Sequence, residues 1–302
     1  MDHGEWAGGN VTIPLYQRAS DIKTLHLDGG CEAGWVLKHL YPDETAGAVW
    51  FALGTAVHAA IEQVIINDLP LVEAHAYGQM ELDMLLAETD EVIEGTGKRN
   101  LSTVNADLHT LIDQWWETVH PTSTRRMPVY NKYQWPPTAE HEIELPDYGL
   151  YTTVDAIFTG NGNQQFGENV LVVDWKTGAS KTAHPSQLQV YRFGLVKEGI
   201  MPEDNVIVGA FHHVAHENLQ WVNNYVGDEV VEAWIRRTAG QKADMIATGT
   251  PVFNPQFLCN YCVSKPQCPI YHGNKTFEQI GNSIQAATLI DIPERVSQRE
   301  GK

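Results

Sequence analysis

The sequence predicts a mixed α/β fold, a sheet core flanked by helices with a helical insertion ahead of it. Two patterns point to it. Between about residues 31 and 120 apolar residues recur at helical spacing. Between about residues 139 and 226 short β-branched and aromatic runs replace them, divided by one helical stretch. Helices, three strands, a crossover helix, two strands and a closing helix is the order of a mixed α/β core.

Residues 1–30 are mixed and glycine-containing, and little regular structure is expected there. An amphipathic helix is expected from about Cys31 to Leu40, broken by Pro42 and the Gly47 region. Gly54 to His58 opens a helix reaching about Asn67, and two more are expected at about Leu71–Glu94 and Val104–His120. Pro121, Pro128 and the Pro136-Pro137 pair mark a loop-rich passage. Three strands follow, at Ala139–Leu145, Leu150–Phe158 and Asn169–Lys176, the last two joined through a turn at Gly160-Asn161-Gly162-Asn163. A helix at about Pro185–Lys197, strands at Val206–Val214 and Gln220–Val226, and a long helix at about Asp228–Ala247 complete the order. After His272 a polar, loosely attached tail is expected.

The chain has 302 residues, 43% of them apolar and nine of them tryptophan, which argues for a folded globular protein. No stretch approaches about 18 uninterrupted apolar residues, so no membrane span is expected. The opening Met1-Asp2-His3-Gly4-Glu5 has no basic-then-apolar leader, and a cytoplasmic location follows as an expectation. Thiols stay reduced there, so the four cysteines suggest a metal site before disulfides. With 38 acidic against 20 basic residues the formal charge is −18, a field that repels polyanions. Screening over about 8 Å limits that repulsion. Lys98-Arg99, Arg125-Arg126 and Arg236-Arg237 are either pieces of a local basic path or ordinary surface charge. Neither a Walker-type loop nor Gly-x-Gly-x-x-Gly occurs, so ATPase and dinucleotide roles lack support.

Asp174 and Lys176 end an apolar Leu-Val-Val strand and, two positions apart, share a face. An apolar strand gains nothing from burying such a pair. Hydrolysis of a phosphodiester needs a divalent ion to polarise the phosphate and activate water, and aspartate oxygens suit Mg²⁺ or Mn²⁺. A nearby lysine can orient that water and offset developing charge. Asp155, in the preceding strand, would lie beside Asp174 in a hairpin; the alternative is a strand-end residue capping the turn at Gly160. His58 could add an imidazole, with Glu62 one turn later supporting it, although a lone helical histidine is more often structural. Gln187 and Tyr191 share a helix face that could reach the lysine or substrate, or could belong to an ordinary amphipathic helix. His212-His213-x2-His216 is a further metal candidate, with strand-surface histidines as the simpler reading.

Taken in order, Gly54-x3-His58, Val154-Asp155, Val173-Asp174-Trp175-Lys176 and Gln187-x3-Tyr191 resemble the PD-(D/E)xK nuclease superfamily, and within it the RecB-like branch. Cys31 together with Cys259-x2-Cys262-x5-Cys268 resembles the group with a four-cysteine iron–sulfur cluster, which includes the AddB nuclease domain and the CRISPR-associated Cas-four exonucleases. The chain's size is closer to the stand-alone exonucleases. The resemblance implies a restriction-endonuclease-like core in a single nuclease domain over 1–272, with a helical part at about 31–120 and a catalytic core at about 139–226. A cluster segment at 251–272 would close onto Cys31, and residues 273–302 would be the tail. It also implies His58, Asp155 and Asp174 as ligands of Mg²⁺ or Mn²⁺, Lys176 as the catalytic lysine, and Gln187 and Tyr191 as supporting or substrate-contacting residues. The sequence departs from the pattern before Asp155, where Thr152 and Thr153 replace a frequent glycine.

Four thiolates can hold a [4Fe–4S] cluster or zinc. One distant cysteine plus three clustered ones fits the iron–sulfur nucleases better than two zinc knuckles. The expected activity is metal-dependent exonucleolytic hydrolysis of DNA, at single strands or ends, in recombination, repair, phage DNA processing or CRISPR adaptation. The alternative is an inactive iron–sulfur or zinc protein that binds DNA or acts as an adaptor. Expected partners are DNA and either a second copy or recombination or CRISPR proteins, with no membrane. If the chain is phage-encoded, the location is the host cytoplasm.

Overall fold

Apolar spacing and punctuation by proline and glycine set most of the element boundaries. The computed structural model describes residues 12–27, 31–42, 47–87, 92–93, 100–160, 170–178, 180, 183–205, 209–255, 259, 262 and 264–293. Along the chain come β1 (Thr12–Pro14), α1 (Ala19–Ile22), a π-helical turn (Lys23–Leu27), α2 (Glu32–Leu40), β2 (Gly47–Ala48), α3 (Val49–Asn67) and α4 (Leu71–Ala87). Next are β3 (Val92–Ile93), α5 (Val104–Val119), β4 (Thr138–Leu145), β5 (Leu150–Thr159), β6 (Val170–Lys176) and α6 (Ser186–Lys197). β7 (Gly209–His213), β8 (Asn218–Val222), α7 (Asp228–Thr248), α8 (Phe277–Ala286) and β9 (Thr288–Ile290) complete the order. The chain divides into two compact units, Met1–Ala46 with Pro146–Tyr151 and Trp234–Lys302, and Gly47–Leu145 with Thr152–Ala233.

The second unit is built on a five-stranded sheet in the order β4-β5-β6-β7-β8. It is mixed, as the sequence predicts: β5 runs antiparallel to β6, β6 parallel to β7, and β7 antiparallel to β8. From Val170 to Trp175, β6 is wholly buried, the pattern of a central strand covered on both faces. Leu171, Val173 and Trp175 join a core shared with α3, α4 and α5, where Trp115 meets Trp175 edge-on at 5.9 Å. Asp174 and Lys176, on alternate positions, face away from that core. Ala156 pairs with Val173, and the same register sets Asp155 opposite Asp174 on one face of the sheet.

α6 is almost entirely buried. It comes close to β4 because residue 194 is glycine: a Cβ there would lie 2.5 Å from Ile143 Cγ2. Gly194→Ala is therefore expected to lower stability by about 1–3 kcal/mol through overpacking, although alanine is the better helix former. Urea unfolding checks this, and Ile143→Val in the same protein should recover part of the loss.

In the first unit β1 and β9 form a parallel pair, Ile13 opposite Leu289. Ile13, Trp35, Val36, Leu37, Leu40, Met245, Ile280 and Ile284 are among the residues of its core. Lys242 is buried there, and donates to the Tyr16 carbonyl at 2.6 Å and to Asp21 Oδ2 at 3.0 Å. Burial opposes its charge and holds it below the usual lysine range despite Asp21.

Several expectations need correction. α3 begins at Val49, not Gly54, because Val49, Leu53 and Val57 continue one buried stripe and the glycine inside the helix serves packing. α4 stops at Ala87; residues 88–91 and Glu94 lie outside the described residues, and Val92–Ile93 form a short strand parallel to β2. Residues 12–27, read as irregular, hold β1, α1 and the π turn. β8 runs Asn218–Val222, ending before Tyr225, whose hydroxyl binds Asp228 at the start of α7. The described part of the tail, residues 273–293, is structured: Thr276 and Gln279 form a capping box for α8, and Ile280 and Ile284 are buried one turn apart. By length and composition, α3 passes as a membrane span. Eight of its residues are buried in the core of the second unit.

Candidate active site and cysteine cluster

The backbone of Trp175 organises the catalytic candidates. Its N–H donates to Asp155 Oδ2 at 2.8 Å, and its carbonyl lies 2.9 Å from His58 Nε2. A carbonyl only accepts, so Nε2 carries the proton and Nδ1 is left facing Asp155 Oδ2 at 3.6 Å. The anchor of His58 is thus a main-chain oxygen, where the sequence suggested Glu62; Glu62 lines the same cleft. Gly54, four residues before His58, lets α3 approach the end of β6, since a Cβ would lie 3.0 Å from Thr177 Oγ1.

Asp174 and Lys176 form an ion pair, Oδ2 to Nζ 2.5 Å, with side chains 2% and 28% exposed. Lys176 also donates to Gln187 Oε1 at 3.1 Å, and Gln187 Nε2 donates to the Tyr191 hydroxyl at 2.8 Å. The four side chains singled out on β6 and α6 therefore form one continuous chain. Burial works against the lysine charge, but the Asp174 carboxylate outweighs it and holds the ammonium above its usual range. Burial, followed by the nearby carboxylates, keeps the Tyr191 phenol well above its usual range.

One residue of the site was not found in the sequence. Glu140 joins His58 and Asp155 in a group whose ligand atoms all lie within 4.8 Å of one another, a set able to hold one divalent ion. Glu140 sits within β4 at φ 47°, a left-handed conformation that costs a non-glycine residue about 1–3 kcal/mol and often marks a functional position. Nothing in Glu140-His141-Glu142-Ile143-Glu144 distinguishes the first glutamate from its neighbours. His58, Glu62, Glu140, Asp155, Asp174, Lys176 and Gln187 line a cleft of about 600 Å³, together with Trp50, Phe51, Thr55, Ala59, Trp175, Thr177 and Gly178, while Tyr191 lies behind Gln187.

Burial first, then the Asp174 carboxylate, raises Asp155 from 3.8 to about 6, against the opposing pull of His58, Lys176 and the Trp175 N–H. The sign follows. A folded pKa above the unfolded one makes ionised Asp155 destabilising, most strongly above about 6 and vanishing as pH falls towards 3.8. In buffer free of divalent metal, Asp155→Asn should be more stable than wild type at pH 8 by about 1–3 kcal/mol. That advantage should shrink steadily towards pH 4.5. Denaturant melts across this range test it, and a difference independent of pH would refute it.

The remaining sequence candidates are accounted for differently. His212 and His213 are buried, not on a strand surface. His212 lies 3.0 Å from the Tyr130 hydroxyl, and burial depresses it to about 3. His213 contacts the Ser180 carbonyl at 3.0 Å and Gln220 at 3.2 Å. Arg125 is engaged by Glu117 and Glu217, and Arg126 donates to the Val119 carbonyl, so this pair offers no open basic path. Lys98-Arg99 lies outside the described residues, and Arg236-Arg237 belongs to the other unit.

That unit carries the cysteines. All four are thiols outside any disulfide and half-buried. Cys31 caps α2, accepting from the Gly34 N–H at 3.4 Å, and a Cβ on Gly34 would lie 3.8 Å from both Cys31 Sγ and Cys262 Sγ. Burial raises the Cys262 thiol, and the charges of Cys31, Cys259 and Cys268 add to that rise. Backbone N–H groups of Ser264, and of Ile270 and Tyr271, point at Cys262 and Cys268. Four convergent thiols with amide donors fit a tetrathiolate metal or iron–sulfur group, whose charge such donors offset.

A family profile described as the PD-(D/E)XK nuclease superfamily matches residues 24–269. No curated protein matches the chain significantly. The matched span takes in Gly54, His58, Glu140, Asp155, Asp174, Lys176, Gln187 and Tyr191 on a mixed sheet flanked by helices, and the chain belongs to the PD-(D/E)XK nuclease superfamily.

Proposed function

We propose that the cleft hydrolyses DNA phosphodiesters exonucleolytically, acting on single strands or ends with Mg²⁺ or Mn²⁺. Superfamily membership suggests metal-dependent nuclease activity. The observation that carries the finer reading is the continuous chain Asp174–Lys176–Gln187–Tyr191 beside the His58–Glu140–Asp155 group. Those three residues, with Asp174 at their side, would hold the divalent ion, which supplies phosphate polarisation and a more acidic bound water. Lys176 holds its proton, fixed by Asp174 and Gln187, and points a positive charge at the position where phosphate charge builds up. Gln187 fixes that ammonium, and Tyr191 stays neutral and fixes the glutamine.

The cysteine group would hold a [4Fe–4S] cluster that ties the N-terminal end of α2 to the segment around residues 259–268, a structural role. Cytoplasmic DNA processing, in recombination, repair, phage DNA metabolism or CRISPR adaptation, is the setting that such an activity fits. The test is anaerobic purification, visible absorption and iron content, then degradation of labelled single- and double-stranded DNA with Mn²⁺. Metal-dependent shortening from ends supports the reading. Intact DNA would reject the enzyme, and colourless zinc-loaded protein would reject the cluster.

A further inference from the structure

Among the described residues lining the cleft, Lys176 is the one lysine or arginine, and it faces Glu62, Glu140, Asp155 and Asp174. The chain as a whole carries −18, and Arg125 and Arg126 are already engaged. Among the described residues, therefore, no basic groove lines this cleft to grip a strand along its phosphates. The same face of α3 offers something else. Phe51, Thr55, His58 and Glu62 lie along it, and Phe51 stands about two helical turns, roughly 10 Å, from His58. Phe51 is 58% exposed and lines the cleft, where its ring is open to a bound strand. Trp50 lies beside it, ring centroids 5.9 Å apart and tilted by 51°.

We infer that Phe51, backed by Trp50, is a stacking platform for an unpaired base of the strand being cut. Resting on the nuclease reading above, this makes stacking and the metal, not ionic contacts, the source of affinity. Every base has a π-face, so the platform tolerates sequence; a paired base cannot lie on it, so unpaired ends are favoured. The acidity of the chain then ceases to be an obstacle. It sets a specific consequence, a weak dependence of binding on salt, because each phosphate neutralised by a side chain contributes a slope of about 0.7.

Binding is read by fluorescence anisotropy of an internally labelled oligothymidylate with Mn²⁺, in Lys176→Gln protein carrying Phe51 or Phe51→Ala. Cutting by the otherwise wild-type proteins is followed in parallel. Phe51→Ala should weaken binding about 5- to 100-fold, and Phe51→Trp should restore it. Removing the terminal bases to leave abasic sugars should produce a similar loss with Phe51 and little further loss with Phe51→Ala. The salt slope should stay below about 1.5, equivalent to two phosphates. The exposed position predicts an unchanged melting temperature. Normal KM and binding in Phe51→Ala, in protein that cuts DNA, would overturn the platform and leave the nuclease standing. No cutting of any DNA by wild type would overturn both.

Discussion

Lys176→Ala is expected to reduce DNA cutting by at least about 10²–10³-fold, the usual loss when a preorganised positive donor is removed from a hydrolytic site. Lys176 is the cation at the centre of the cleft, held by Asp174 at 2.5 Å and Gln187 at 3.1 Å. Alanine also strands Asp174, whose side chain is 2% exposed, and leaving a buried charge unpaired costs about 3–5 kcal/mol. A loss of rate could then come from a loss of fold. Lys176→Gln separates the two, because its amide can still donate to Asp174 but carries no charge. Both variants should be inactive, and the glutamine variant should melt closer to wild type. Near-normal cutting by folded Lys176→Gln would remove the lysine from its catalytic role.

The second large effect is expected at Cys262. Cys262→Ala should abolish visible absorption by a bound cluster and lower stability by several kcal/mol, with activity falling alongside. Cys31 and the 259–268 segment are far apart in sequence, so without a bound group their juxtaposition must bear the entropy of closing a long loop. Burial, with smaller contributions from three neighbouring sulfurs, raises the Cys262 thiol and disfavours a bare thiolate there. A metal centre reverses that preference. Anaerobic absorption spectra and thermal melts of wild type and variant decide it. Unchanged stability would remove the structural role, and a zinc-bound, colourless wild type would replace the cluster while keeping the clasp.

The legible parts of the site were those fixed by short-range spacing. Asp174 and Lys176 share a face because strands alternate, Gln187 and Tyr191 because helices turn, and the hairpin expectation placed Asp155 opposite Asp174. Cysteine spacing placed Cys31 and the 259–268 segment in one expected site, and both belong to the same compact unit. Glu140 escaped because its distinction is a backbone angle, not a residue type. α8 escaped because only Ile280 and Ile284 are buried in a polar stretch, so its apolar stripe is one turn long. The histidines of β7 were misplaced because β7 is buried along its whole length, and hydrogen bonds to the Tyr130 hydroxyl, the Ser180 carbonyl and Gln220 Oε1 replace water.

Trp175 has a consequence of a different kind. Its indole lies in the core against Trp115 and Phe158, while its peptide groups hold Asp155 and His58. The chemistry is thus fastened to main-chain atoms that every amino acid except proline would supply, and the precision of their placement comes from a side chain packed in the core. Mutational drift in the two carboxylates or the histidine would be felt at once as lost turnover. Drift around the indole would instead act as a slow detuning, loosening His58 and Asp155 together. A directed-evolution campaign on this chain therefore has two independent dials: the cleft face for substrate choice, and the packing around Trp175 for how rigidly the cleft is held.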